Sequence, residues 1–196
     1  MQMPKSRTAM GLIEEMATRH SSREALIGGN VRYTWRELHS QIRKFAKGLY
    51  TAGIQPGDKV GILMGNEPDW LIAHFGIMAV GGVTVAINTW TSSRELAYQL
   101  GHSETKILVM TDSFKNRDYL KLLKSAQGLR PPLSNLEKIF CKSTKALPDG
   151  ITHFDLLWEM GEHVSETRIN RRIAMVSGED IACILYTSGS TAEPKG

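Results

Sequence analysis

The chain has 196 residues, 41% of them hydrophobic and 22% charged, the balance of an ordinary globular domain and too apolar for a disordered one. Its net charge of +4 comes from Lys and Arg spread along the sequence; even the pair Arg171–Arg172 reads as solvated surface, so composition argues against a nucleic-acid partner. The two cysteines, Cys141 and Cys183, lie far apart in apolar runs and read as reduced, buried thiols, with no second Cys or His at metal-ligand spacing.

Leu12, Ile13, Met16 and Ala17 share one face at helical spacing, which predicts a helix from Thr8 to Arg19. Glu14 and Glu15 interrupt any signal-type apolar run there, so the expected compartment is the cytoplasm. Ala25–Ile27 and Val31–Tyr33 flank Gly28-Gly29-Asn30 and predict a β-hairpin. Thr34 and Glu37 form a capping box before a helix that buries Leu38, Ile42, Phe45, Ala46 and Leu49 and ends at Gly53. Pro56-Gly57-Asp58 is a turn into the strand Val60–Met64. Asn66 is the expected cap of a helix carrying Trp70, Leu71, Phe75 and Met78, with His74 packed in its apolar face, and Val83–Ile87 is the next strand. Gly81-Gly82 and His74 break the apolar stretch from Trp70 to Ile87, which argues against a membrane span.

Ser92 and Glu95 form a second capping box, opening a helix through Leu100. Ile107–Met110 is a strand, Tyr119–Leu123 helical, Pro131-Pro132 a loop, Ile139–Cys141 a strand and Phe154–Met160 a short helix. The polar stretch from Gly161 to Glu179 reads as a surface excursion, and Ile181–Tyr186 as an apolar strand inside the sheet. This alternation predicts an α/β fold, a mainly parallel sheet with helices on both faces. Strands that read as continuous apolar runs suit such a doubly covered sheet.

The segment richest in chemistry is Tyr186-Thr187-Ser188-Gly189-Ser190-Thr191-Ala192-Glu193-Pro194-Lys195-Gly196. A buried strand runs into hydroxyls, a glycine and a cation, the donors that a phosphate chain needs. It is not the P-loop of NTPases, because Pro194 replaces the second glycine and Gly196 stands where that motif has its hydroxyl. The segment resembles the phosphate loop of the adenylate-forming superfamily: acyl- and aryl-CoA synthetases, peptide-synthetase adenylation domains and firefly-type luciferases. The pattern Tyr-Thr-Ser-Gly-Ser/Thr-Thr-Gly-x-Pro-Lys-Gly is matched at every fixed position but Ala192, where glycine is usual. Tyr33–Leu38, Gly53–Val60, Gly81-Gly82-Val83, Asn88 and Arg94–Tyr98 also look like the start of these enzymes, in order, and Ser92–Leu96 looks closest to fatty-acyl and related carboxylate CoA ligases.

The resemblance implies a ligase that joins a carboxylate to AMP from ATP and then to coenzyme A, with Mg2+ as helper. Thr187, Ser188, Gly189, Ser190, Thr191 and Lys195 would hold the ATP phosphates. The family's other functional motifs lie further downstream. The expectation is therefore that residues 1–196 are a truncated amino-terminal part of the large adenylation domain, with the carboxy-terminal domain absent, no catalytic residue present, no metal ligand, and no activity alone. His74, Asn88 and Trp90 are not expected to be catalytic. The rival readings are a stand-alone non-catalytic α/β module and a peptide-synthetase adenylation domain.

Overall fold

The computed structural model describes residues 5–130 and 132–187. In chain order the first elements are α1 (Ala9–Arg19), β1 (Glu24–Gly28), β2 (Val31–Thr34), α2 (Trp35–Thr51), β3 (Lys59–Leu63), α3 (Pro68–Ala79), β4 (Val83–Ala86) and α4 (Ser93–His102). They are followed by β5 (Thr105–Thr111), β6 (Ser113–Phe114), β7 (Arg117–Asp118), α5 (Tyr119–Gln127), β8 (Lys138–Lys142), β9 (Thr152–His153), α6 (Leu156–Gly161), α7 (Glu166–Ala174) and β10 (Cys183–Leu185). The chain divides into two compact units, one holding α1, β1, β2, α2, α3, α6 and α7, the other the sheet strands with α4, α5 and the β6–β7 hairpin.

In the helical unit, Thr8 begins α1 by accepting a hydrogen bond from the Gly11 amide at 3.1 Å. The Thr34–Glu37 capping box forms reciprocally: Glu37 N–H donates to Thr34 Oγ1 at 3.3 Å and Thr34 N–H to the Glu37 carboxylate at 2.8 Å. It opens α2, which buries Leu38, Ile42, Phe45, Ala46 and Leu49 as its period requires. A fully buried side chain of this kind contributes about 1.5–3 kcal/mol, against a spread of ~0.7 kcal/mol in helix propensity among ordinary residues. Packing therefore holds α2. β1 and β2 pair antiparallel as the expected hairpin.

Three expectations in this unit are corrected. α3 is not capped by Asn66: its N-cap is Glu67, which makes no side-chain cap bond, and Pro68 fills the first turn, where a missing N–H costs nothing. Residues 161–179 are not simply an excursion, because Ser165 caps α7, accepting from Arg168 N–H at 3.3 Å. Arg172 is not solvated; it is 8% exposed, donates to the Ile54 carbonyl and to Gln55 Oε1, and lies over the Tyr50 ring. α7 is tied to α2 at Glu166, whose carboxylate accepts from Lys47 and Arg43, the two bonds holding it below the usual carboxylate range.

The sheet has the order β10-β4-β3-β5-β8-β9, every neighbouring pair parallel. On one face Leu63, Val85, Ile87, Leu108, Met110, Ile139 and Cys141 pack with Leu96 and Leu100 of α4 and Tyr119 and Leu123 of α5. Val60, Ile62, Thr84, Ile107, Val109 and Phe140 alternate with them and are buried as completely, so both faces are covered. The fold is thus α/β, a parallel sheet flanked by helices. Among the described residues β10 pairs only with β4 and stands at the sheet's edge. It is shorter than the expected inner strand Ile181–Tyr186, whose Ile181 and Leu185 are 69% and 65% exposed. Both cysteines are free, but only Cys141 is fully buried; burial, aided by Asp112, pushes its thiol up to about 12, while Cys183 is half-buried. Among the described residues no helix is long and apolar enough to cross a membrane.

The backbones of α2 and α6 meet at Gly48, where an added Cβ would lie 1.9 Å from the Leu157 carbonyl oxygen. Gly48→Ala improves helix propensity by about 1 kcal/mol, yet the forced separation of two backbones should cost more, for a net loss of about 1–3 kcal/mol. Differential scanning calorimetry should show Tm lower by roughly 2–10 °C; an unchanged or raised Tm would mean that the helices do not approach this closely.

Candidate functional site

Because all six strands run the same way, their carboxyl ends open at one edge. The chain moves outward from β3 to β4, then returns past β3 to reach β5. A crevice beyond the carboxyl ends at such a reversal is where open α/β sheets bind ligands. Three segments leave the sheet there: Met64–Gly65 after β3, 87–92 after β4, and Tyr186–Thr187 after β10, the neighbour of β4.

Of the residues singled out in the sequence, Thr187 is described: it follows β10 at this edge and is exposed. Ser188, Gly189, Ser190, Thr191 and Lys195 lie outside the described residues. Tyr186, at the root of the segment, is half-buried. Its hydroxyl lies 2.9 Å from Nδ1 of His102 and 3.4 Å from the Gln99 carbonyl, both on α4. Burial raises its phenol above the ordinary tyrosine range.

The loop after β4 is braced by side chains from beyond β5. Asn88 Oδ1 accepts from Trp90 N–H at 2.8 Å, a local turn that asparagine favours. Tyr119, fully buried, donates its hydroxyl to the Thr89 carbonyl at 2.9 Å, and Arg117 Nη2 donates to the Thr91 carbonyl. Loop carbonyls that would otherwise face a partly dry edge are thereby satisfied. Trp90 is 60% exposed, and Lys115 and Arg117 lie 5.4 and 5.8 Å from the centre of its ring, close enough for a cation–π attraction. The Nε of Arg117 is buried and has no partner among the described residues. Phe114 stands against Gly65, where a Cβ would be 2.4 Å from its ring. These side chains come from β6, β7 and the turn between them; each strand is two residues long, too short to show a period, and nothing in the sequence singles them out.

Beside them, at the end of β5, Asp112 accepts from the hydroxyls of Ser113 and Ser143, each at 2.7 Å, which hold its carboxyl below the ordinary range. Among the described residues no three His, Cys, Asp or Glu side chains are grouped to hold a metal ion. Asn88 and Trp90 shape the loop, and His74 sits half-buried on α3 between the rings of Trp70 and Phe75, where burial pushes its pKa down.

The family model of the AMP-binding enzymes matches residues 13–196. The chain is 34% identical over 164 residues to the long-chain-fatty-acid–CoA ligase FadD15 of Mycobacterium bovis, covering 83% of this chain and 25% of that protein. It is 30% identical over 187 residues to 4-coumarate–CoA ligase 2 of Nicotiana tabacum, covering 93% of this chain and 31% of that protein. The crystal structure of the anthranilate CoA ligase AuaEII in complex with anthranoyl-AMP matches 95% of this chain and 33% of its own with a TM-score of 0.79 at 23% identity, a likeness of fold. The chain spans between a quarter and a third of the length of these relatives.

The bracing of the β4 loop is open to test. Tyr119→Phe should lower the unfolding free energy by about 1 kcal/mol, leaving the Thr89 carbonyl without its donor, and Arg117→Met by about as much. The Arg117 variant should also speed hydrogen exchange at the Trp90 and Thr91 amides. Urea unfolding curves that superpose on the wild type, with unchanged exchange in the loop, would show that these side chains do not hold it.

Proposed function

We propose that this chain, which belongs to the AMP-binding enzyme family, is the amino-terminal part of an adenylate-forming acyl-CoA synthetase and supplies the loop that grips the ATP phosphates. The observation that carries the reading is the segment from Tyr186 to Gly196, with its hydroxyls, glycine and lysine, emerging from a strand at the carboxyl edge of a parallel sheet, beside the strand where the chain reverses direction.

In the proposed reaction a carboxylate oxygen attacks the α-phosphorus of ATP. A P–O bond forms to the acyl group, the bond to the bridging oxygen breaks, and pyrophosphate leaves with the electron pair. The thiol of coenzyme A, giving up its proton to solvent, then attacks the acyl carbon; the C–S bond forms, the bond from the acyl carbon to the phosphate oxygen breaks, and AMP departs with that electron pair. The backbone of Gly189 and the hydroxyls of Thr187, Ser188, Ser190 and Thr191 donate to the β- and γ-phosphate oxygens, and Lys195 brings a compact cation to the same charge. Their contribution to the first step is positioning and neutralisation of charge on the leaving pyrophosphate. Magnesium, when bound with the nucleotide, supplies further neutralisation. The acid is an aliphatic or aryl carboxylate, the class named in the relatives. The groups that complete the active site belong to the remaining length of the protein, and substrates such as ATP and coenzyme A suit a cytoplasmic enzyme.

Two measurements test this. In the full-length protein Lys195→Ala should slow acyl-AMP formation by roughly ten- to a thousandfold while carboxylate affinity and thioester formation from pre-formed acyl-AMP stay near wild type. Lys195→Arg should restore only part of the rate, because a planar, delocalised fork is not equivalent to a compact ammonium as a point charge on phosphate. Equal loss in both half-reactions would assign Lys195 a structural role, and no loss would remove the loop from the chemistry. The 196-residue chain alone should give no carboxylate-dependent exchange of pyrophosphate into ATP; exchange above background from pure protein would overturn the view that the remaining length is required.

A further inference from the structure

The take-off of the proposed phosphate loop is held by little backbone. β10 is three residues long and pairs on one side only among the described residues, and the Leu185 side chain is 65% exposed. The last side chain anchored before Thr187 is that of Tyr186. Its hydroxyl lies 3.4 Å from the Gln99 carbonyl, which can only accept, and 2.9 Å from Nδ1 of His102, where the imidazole tautomer decides which of the two atoms donates. His102 is four residues along α4 from Tyr98, and the two rings stack at 5.2 Å with 19° between their planes, a pairing that helical spacing brings face to face. Tyr186 completes the group edge-on, 6.2 Å from Tyr98 and 5.8 Å from His102.

α4 is a firm base for this clamp. Its start is closed by the Ser92–Glu95 capping box, and Leu96 and Leu100 are fully buried in the sheet face. It also continues directly from the β4 loop, so one helix holds the roots of two of the segments that leave the sheet at its carboxyl edge. His102 itself is exposed and fills no core. What its ring holds is Tyr186.

We propose that His102 is a positioning residue which, through Tyr186, fixes the take-off of the phosphate loop. The inference rests on the reading of residues 186–196 as that loop. It gives His102 a role exerted through Tyr186, so that its loss should cost order at one place.

The test uses the intact protein with His102→Leu, His102→Gln, Tyr186→Phe and the double variant His102→Leu/Tyr186→Phe. Two quantities are read: hydrogen exchange at the amides of 184–187, and calorimetric binding of ATP with magnesium. Losing one hydrogen bond should speed exchange there about five-fold and weaken ATP binding by a similar factor. The double variant should be no worse than Tyr186→Phe alone, since losing the hydroxyl already removes the His102 contact together with the bond to the Gln99 carbonyl. His102→Gln, whose amide can either donate to or accept from the Tyr186 hydroxyl, should restore most of the loss. Exchange at Leu108 and Val109 in β5, distant from the clamp along the sheet, should not change. Unaltered exchange at 184–187, additive losses in the double variant, or an equal rise in β5 would overturn the proposal. If the wild-type protein does not bind ATP, the phosphate-loop reading falls and the role of His102 with it. That outcome is told apart from failure of the clamp because the exchange measurement needs no nucleotide.

Discussion

Parallel pairing along β10-β4-β3-β5-β8-β9 obliges the chain to return to the same edge of the sheet after every strand, and the rest of the architecture follows from that obligation. Each return takes a long connection, and covering both faces of the sheet is what permits strands as apolar as Lys59–Leu63 and Thr105–Thr111. It also gathers every carboxyl end at one edge, so segments as distant in sequence as 64–65, 87–92 and 186–187 open side by side. The sheet is built to be dry and rigid, while its edge is where polar backbone must be satisfied by something other than a neighbouring strand.

Side chains perform that task. Tyr119 and Arg117 donate to carbonyls of the β4 loop, Asn88 folds the loop on itself, and Tyr186 closes on α4 through His102 and Gln99. Each bond contributes about 1 kcal/mol net, small beside the core, but each acts on a segment with few other attachments. The same logic appears in the helical unit, where the buried guanidinium of Arg172 is tolerated because the Ile54 carbonyl and the Gln55 side chain accept from it. A charge withdrawn from water without such acceptors would cost far more than its packing returns. Polar side chains in this protein therefore serve less to cement the core than to settle loop ends beside it.

Much of the fold is legible in the amino-acid sequence alone. The capping boxes at Thr34–Glu37 and Ser92–Glu95, the buried face of α2 and the βαβ alternation all depend on residues three or four apart, or on the period of a single element. The family resemblance likewise rests on contiguous residues. Everything else involves partners far apart in the chain. The segment Ile181–Tyr186 is apolar enough for an inner strand, yet the position of β10 is set by which strand it meets, and it meets β4 alone among the described residues. Residues 161–179 look polar because α7 buries only part of a narrow face, Ile169 and Arg172, and the acceptors that make an arginine burial tolerable lie more than a hundred residues earlier. Phe114, Lys115 and Arg117 show no periodicity because two-residue strands have none to show, and His102 looks like any exposed helical residue until folding brings Tyr186 to its ring. Local hydrogen bonding and periodicity are written into short stretches of sequence; which side chains meet at the edge of the sheet depends on how distant stretches pair, and that is decided only when the whole chain packs.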